Sequence, residues 1–321
     1  MNILLTGSSG WLGQSLAPLL QQQDHTVIGL DPQPSACTRV QGSVADAALV
    51  QEVMRDHRVE AVIHAGGLHK PNIATHSLDD FVAANVTGTL NLLEAAVAPG
   101  SKVTRFIFTS TTSLMISRGI RAGRKGGATR ATWITEDLQP LLPRNIYGVT
   151  KLAAEHLCRL FHELHGLPVI TLRTARFFPE MDDMAHAIEQ DDANTKTNEL
   201  LFRRLTVEDA AECHVAALAK APELGFETFI VCAKTPFQPS DCRQLLHDAP
   251  SVVARYFPDY PGIYERLGWT MFQSIDRVYD AGRLQEKLGF VCRTGFQQAL
   301  DTLAREQDDT RGNQAEAEQE S

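Results

Sequence analysis

No run of about eighteen apolar residues occurs in this 321-residue sequence, so it offers no membrane span. Positive charge is not in excess either. Thirty Lys and Arg against 39 Asp and Glu leave a net charge of −9, which argues against a general affinity for nucleic acid or an anionic membrane, while leaving room for a local basic site. Paired cysteines are missing: positions 37, 158, 213, 232, 242 and 292 lie far apart with no C-x-x-C spacing. That pattern excludes a disulfide framework and a zinc knuckle, and fits reduced thiols in the cytoplasm. The opening MNILLTGSSGWLGQSLAPLL lacks a basic start, and glycines 7, 10 and 13 break its apolar run, so it does not read as an export signal. There are no internal repeats.

What is present is an alternation. Short continuous apolar runs at 2–7, 26–31, 61–66, 105–110, 168–173 and 227–232 are of the kind expected when both faces of a strand are covered. Helical spacing fills 11–23, 46–58, 78–98, 150–165 and 207–220. Strand and helix in turn predict an α/β fold: a Rossmann-type, doubly wound parallel sheet. Residues 1–173 and 207–235 form this sheet domain. The less regular 174–206 and 236–305 form a smaller substrate-binding lobe, and the acidic, anchor-free 306–321 is expected to be disordered.

The segment LLTGSSGWLG sets Gly7, Gly10 and Gly13 between the first strand and the first helix. A tight strand-to-helix turn without side chains lets backbone approach a pyrophosphate. The free amides at the helix start, around Trp11 and Leu12, then meet its charge. Gly13, one turn in, is expected to let the helix pack close to the sheet. Asp31 ends the second strand, eighteen residues after Gly13. A carboxylate there accepts hydrogen bonds from ribose hydroxyls and repels a 2′-phosphate, which favours NAD over NADP; its competing reading is a turn residue before Pro32.

In NIYGVTK, Tyr147 and Lys151 stand four residues apart, a spacing that places both on one helix face but decides nothing alone. Combined with G-x-x-G-x-x-G, VIHAGG (62–67), NVTGTLNLLEAA (85–96), RFIFTSTTS (105–113) and LTVEDAAECHVAALAKA (205–221), it makes residues 1 to about 235 resemble the extended short-chain dehydrogenase/reductase family, the group of NAD-dependent sugar epimerases and dehydratases. The resemblance implies that Tyr147 is the general acid/base and that Lys151 holds the nicotinamide ribose and lowers the phenol pKa, helped by the positive ring. It implies that Thr111 hydrogen-bonds the reacting oxygen, with Ser110 as competitor. Asn85 is expected to open the helix that steadies the site, or to be simply its N-cap. Ser43, Val44, Ala65, Gly66 and Ser110 join the glycines, Asp31, Tyr147 and Lys151 as expected NAD contacts.

Departures narrow this. Thr112 and Ser113 stand where the dehydratases of the family carry an Asp-Glu pair, so water elimination is not expected. About two dozen residues separate Pro179 from Arg203, where epimerases carry a longer insertion, so the pocket reads as too small for a nucleotide sugar. HAGG, YGVTK and RTARFFPE are similar to segments of the uronate dehydrogenases of the family. That likeness implies that Arg173 grips a substrate carboxylate, a task suited to a guanidinium, with a strand-end salt bridge as the alternative. Arg176 and Trp133 are further candidate substrate contacts, Trp133 with core packing as its alternative. SRGIRAGRKGGATR (117–130) carries five basic residues and no acid, and reads as a lid over an anion or as a solvated loop. His64, His69 and His76 match no common ligand spacing, so no metal is expected.

The expected activity is NAD-dependent hydride transfer at a secondary alcohol or carbonyl of a small, polar, sugar-like substrate, acidic if the uronate dehydrogenase likeness extends to it. The alternative is an epimerase that keeps NAD bound; a non-catalytic NAD sensor is the third reading. The likeness also implies a homodimer through helices bearing Leu90, Leu93 and Val97, and Leu152, Leu157 and Leu160.

Overall fold

The structure, a computed structural model, describes residues 1–177 and 191–306. Its centre is a seven-stranded parallel sheet. The strands are β1 (Asn2–Thr6), β2 (Thr26–Asp31), β3 (Val40–Gln41), β4 (Ala61–His64), β5 (Phe106–Thr111), β7 (Val169–Thr174) and β8 (Phe226–Val231), in the order β3-β2-β1-β4-β5-β7-β8. A short strand, β6 (Thr132–Ile134), pairs instead with β9 (Arg277–Tyr279) in a separate two-stranded sheet. The doubly wound sheet is as expected; β3 is too short, at two residues, to leave an apolar run.

Strand side chains alternate between two cores. Ile3, Leu5, Ile63, Ile107 and Ile170 pack under Leu12, Leu16 and Leu20 of helix α1 (Trp11–Gln22), and under Ala210, Ala217 and Leu218. Leu4, Val62, Phe106 and Phe108 face the other way, onto Val50 and Val53 of α2 (Ala47–Asp56), with Leu92, Leu93, Ala154, Cys158 and Phe161. Because both faces are covered, strand positions are apolar continuously instead of alternately. A third core gathers Leu200, Leu201 and Phe202 with Phe237, Leu245, Val252, Tyr264, Val278 and Phe296.

The helix expected over 78–98 is one helical run in three parts: α3 (Leu78–Val82), a π turn (Ala83–Thr87) and α4 (Gly88–Val97). Asn85 therefore does not open or cap a helix. It sits in the π turn, where one extra residue per turn redirects side chains. After α5 (Arg118–Ala122), helix α6 (Ile146–His165) starts four residues earlier than expected. Asn145 caps it by accepting from the Gly148 amide at 2.9 Å, so Tyr147 belongs to the first turn. Then come α7 (Asp192–Glu199) and α8 (Val207–Leu224). Three short helices, α9 (Cys242–His247), α10 (Ala249–Tyr256) and α11 (Tyr260–Leu267), complete the third core. Among the described residues, no helix is long and apolar enough to cross a membrane. The tail expected to be disordered lies, from residue 307 on, outside the described residues, as does the segment containing Pro179.

Candidate active site

Strand order reverses between β1 and β4, and the loops leaving their carboxyl ends touch there. Gly7 has φ +73°, and a Cβ on it would lie 2.7 Å from the Gly66 amide nitrogen. The contact of Gly7 with Ala65 and Gly66 thus needs a bare backbone. Gly13 plays a different part from the one expected: a Cβ there would lie 2.2 Å from the Gly7 carbonyl oxygen, so Gly13 makes room for the turn itself rather than for helix-on-sheet packing. Helix α1 begins at Trp11 and Leu12 with neither a side-chain cap nor an acidic residue in its first turn, so its N-terminal amides remain suited to an anion. Asp31 ends β2 beside this turn. Its carboxylate accepts from the Ser9 amide at 3.1 Å and the Gln33 amide at 2.8 Å, and keeps acceptor capacity beyond these. Ser43 and Val44 follow β3, tied to Asp31 by the Gly42 amide (2.9 Å), with Val44 packed against Gly88 and its carbonyl accepting from Asn91. The structure brings the glycine turn, Asp31 and the Ser43–Val44 segment together at this end of the sheet, and their bare backbone, free amides and carboxylate fit a dinucleotide.

Behind the cradle runs a buried hydrogen-bond chain whose directions are fixed. The Thr89 hydroxyl donates to the Asn85 carbonyl (2.7 Å), so it accepts from His64 Nε2 (3.0 Å). His64 Nδ1 is then an acceptor and takes the Thr6 hydroxyl (2.7 Å), while Thr6 accepts from the Gly66 amide (3.0 Å). Burial, and then the charge of Lys151, hold the His64 imidazole well below its ordinary pKa and neutral. His64 is thereby a core histidine that braces the glycine turn against the π turn. The Asn85 side chain extends the chain outward, accepting from the Leu68 amide (2.8 Å) and donating to Thr150 Oγ1 on α6 (3.0 Å).

Thr111 ends β5, and its hydroxyl, which accepts from the Ser113 amide (3.1 Å), lies close enough to the Tyr147 phenol to hold its pKa down. Lys151, one turn along α6 from Tyr147, donates from Nζ to the Thr109 carbonyl at 2.9 Å and lies 4.8 Å over the Phe108 ring. The three side chains are each less than one-tenth exposed. The expectation that Lys151 lowers the phenol pKa does not hold in the protein alone. Burial pushes Tyr147 up to about 12, offset only by Thr111, because the Lys151 amine is turned to the strand carbonyl. Burial also pushes the Lys151 ammonium down to about 8, against Cys158 and Glu155, which hold it up.

Ser110 does not share the role of Thr111: its hydroxyl donates to Glu155 Oε1 at 2.5 Å, away from Tyr147. Arg173 takes its alternative reading. Its Nη2 meets Glu155 Oε2 at 2.7 Å and its Nε meets Oε1 at 3.0 Å, with both side chains 8% exposed, so the carboxylate it grips belongs to its own chain. Glu155 was not singled out from the sequence; its place one turn after Lys151 on α6 was the available signal. Arg176 lies beyond β7, 3.8 Å from Glu199, which also pairs with Arg203 (2.6 Å) and Arg204 (2.8 Å). Trp133, on β6, donates from Nε1 to Asp280 (3.0 Å). It lines a cavity of about 360 Å³ with Lys234, Phe237, Gln285 and Cys292, and none of Thr111, Tyr147 or Lys151 lines that cavity.

Thr112 and Ser113, in the positions of the dehydratase acids, close the end of β5: Thr112 Oγ1 donates to the Thr174 carbonyl (3.4 Å), and the Ser113 amide donates to Thr111 (3.1 Å). The basic stretch 117–130 is folded. Ser117 caps α5, Gly123 turns at φ +49° against Asp276, and Arg130 donates to the Pro239 carbonyl (3.1 Å). Arg121 is half-buried; burial first, then Arg277, lower its guanidinium pKa.

Residues 3–232 match the model of the NAD dependent epimerase/dehydratase family. The chain belongs to that family. It is 31% identical over 180 residues to a UDP-glucose 4-epimerase of Azospirillum brasilense, an alignment covering 53% of this chain and 47% of the relative. The chain thus spans about half the length of the curated relatives it matches. Among solved structures, a short-chain dehydrogenase/reductase superfamily protein from Agrobacterium tumefaciens with bound NAD aligns over 98% of this chain and all of its own, with TM-score 0.63 and 22% identity. A glucuronic acid dehydrogenase from Chromohalobacter salexigens covers 95% of this chain and 88% of its own, with TM-score 0.62 and 19% identity. At these identities the structures speak for the fold.

Proposed function

We propose that the chain is an NAD-dependent oxidoreductase acting on a secondary alcohol or carbonyl of a small, polar, sugar-like substrate. The observation that carries this is the meeting of Thr111, Tyr147 and Lys151 at the carboxyl end of β5, within the sheet edge that also holds the glycine turn and Asp31. Bound NAD would supply the hydride acceptor. The chain's own residues handle the proton. Thr111 and the Tyr147 phenol are two adjacent hydroxyls for one substrate oxygen, and the phenol gives up its proton only when a positive charge enters its buried site. Glycines 7, 10 and 13, with Trp11 and Leu12, would hold the pyrophosphate, Asp31 the ribose; Ser43, Val44, Ala65 and Gly66 complete the contacts. Thr112 and Ser113 supply no carboxylate for eliminating water. Arg176 remains a candidate substrate contact at the end of β7, and residues 174–206 and 236–305 the substrate lobe.

The test is NADH absorbance on mixing the purified protein with NAD and a panel of uronates, aldoses and polyols. A hit abolished by Tyr147→Phe, with NAD binding kept, supports the reading. No net NADH, with NAD recovered tightly bound after denaturation, favours the epimerase reading, which the similarity to UDP-glucose 4-epimerase keeps in view. A cellular role retained by Tyr147→Phe would instead mark a sensor.

The same reading includes a cytoplasmic homodimer. Six free thiols fit a reducing compartment. Of the side chains expected at the dimer face, Leu93 is buried in the sheet core and Leu90, Val97, Leu152 and Leu157 pack against the cores, while Leu160 is exposed, with Val149 and Leu164 exposed on the same helix. A dimeric mass by light scattering, reduced to monomeric by Leu160→Glu with Leu164→Glu, checks it.

A further inference from the structure

Glu155 has more partners than any structural salt bridge needs. It lies on α6 one turn beyond Lys151, on the same buried face as Tyr147 and Lys151. From β5 it receives the hydroxyl of Ser110, the residue beside Thr111. From β7 it receives Nε and Nη2 of Arg173, whose Nη1 donates to the Glu136 carbonyl at 3.4 Å. Both oxygens of the carboxylate are therefore held from outside the helix, and the carboxylate joins the two elements that deliver the reacting side chains, β5 and α6, to β7.

We propose that Glu155 is a positioning residue of the active site, which locks the strand carrying Thr111 in register with the helix carrying Tyr147 and Lys151, and places a fixed negative charge beside the Lys151 amine. Three observations carry it. Burial of the Lys151 amine favours its neutral form, and besides one carbonyl and one aromatic face its ammonium needs a negative charge nearby to offset that burial. The other titratable groups facing it are Tyr147 and Cys158 of α6, and His64 of β4, which the Thr6–His64–Thr89 chain keeps neutral. Burial also raises the Cys158 thiol pKa and keeps it protonated, which leaves the Glu155 carboxylate as the full negative charge beside the amine among the described residues. Arg173, meanwhile, fixes where that charge sits, because a two-nitrogen grip sets both distance and plane. Arg173 would then serve the reaction through Glu155 without touching substrate.

The inference rests on the proposed dehydrogenase reading for its purpose, but its test needs no turnover. The pH dependence of Lys151 labelling by acetic anhydride, read on the Lys151 peptide by mass spectrometry, reports the titration of that amine in the folded protein. In Glu155→Gln the labelling midpoint falls by about one pH unit or more. Ser110→Ala, which removes a neutral hydroxyl and no charge, leaves it in place. If the single variant does not fold, Glu155→Gln with Arg173→Met leaves no buried charge unpaired and gives a smaller fall in the same direction, because a cation farther from Lys151 leaves with the carboxylate. An unchanged midpoint in whichever of these folds overturns the proposal, because a merely structural ion pair would leave Lys151 where it is. Adding NAD separates the two readings. Failure of NAD to protect Lys151 from the label would count against the cofactor assignment and leave the Glu155 midpoint shift standing.

Discussion

Arg173 and Glu155 face each other as a buried, two-pronged ion pair across β7 and α6, Nη2 to Oε2 at 2.7 Å and Nε to Oε1 at 3.0 Å. Two charges drawn out of water are held only because each satisfies the other, and a pair of this kind is worth less than the damage done by removing half of it. Arg173→Met strands a carboxylate and is expected to destabilise the protein by about 3–5 kcal/mol. Glu155→Gln with Arg173→Met strands nothing, and is expected to recover much of that loss. Urea or thermal unfolding of the two variants decides it. Equal destabilisation of both would mean that packing, not charge, explains the loss.

That pair also marks the limit of what the chain discloses in one dimension. The parallel strands were legible because β1, β4, β5 and β7 are buried on both faces and so read as continuous apolar runs, and the turn at Gly7 because only a bare backbone can pass Gly66. Tyr147 and Lys151 were legible because chemistry fixes their spacing. The partner of Arg173 was not, since the four-residue step from Lys151 places Glu155 on the helix face without saying which strand residue it meets. Nor was the π turn at Ala83–Thr87: one added residue leaves a helical stripe nearly unchanged while it moves Asn85 from a cap to a bridge. The pairing of β6 with β9 joins residues far apart in sequence through three-residue strands, too short for periodicity to register. The direction taken by Lys151, towards Thr109 instead of Tyr147, depends on three-dimensional competition for one amine.

Asp31 is expected to separate the two nicotinamide cofactors. A carboxylate bonded to ribose hydroxyls contributes about 1.5–3 kcal/mol, so Asp31→Ser should weaken NAD binding about tenfold or more. The same change removes the charge that repels a 2′-phosphate, and the preference for NAD over NADP should shrink. Titration calorimetry with both cofactors measures each effect. A parallel loss for both would trace instead to loosening of the Ser9 amide, which Asp31 Oδ2 also holds.

Acid should unfold the protein in part through His214. This histidine of α8 is fully buried, donates from Nδ1 to the Ala210 carbonyl at 2.7 Å, and accepts the Thr109 hydroxyl at Nε2 (2.8 Å). Burial lowers its pKa from 6.5 to about 4. The unfolded chain therefore binds a proton as pH falls through 6.5, while the folded chain does not until about 4, and stability drops across that window at up to about 1.4 kcal/mol per pH unit. His64, lowered in the same direction, adds to it. Melting temperature against pH should fall most steeply between pH 6.5 and 4, and less steeply in His214→Gln. A His214 ring signal that titrates near 6.5 in the folded protein would contradict this.

Gly13 and Gly10 look equivalent in the glycine pattern, yet the structure ranks them differently. A Cβ at Gly10 would lie 3.2 Å from the Gly7 carbonyl oxygen, a contact that a few tenths of an ångström relieves. At Gly13 the distances are 2.2 Å to that oxygen and 2.7 Å to Ser8 Cα, both backbone of a turn pinned by the Gly7–Gly66 contact. Relief at Gly13 must therefore push the turn outward, into the space where the cofactor pyrophosphate would lie. Gly13→Ala is expected to cost about 1–3 kcal/mol in stability and to abolish measurable NAD binding, while Gly10→Ala keeps the fold and retains weakened binding. Unfolding curves with NAD titrations on both variants compare the two sites directly. Equal loss at both would show that the turn is tuned to the ligand at Gly10 as tightly as it is to its own carbonyl at Gly13.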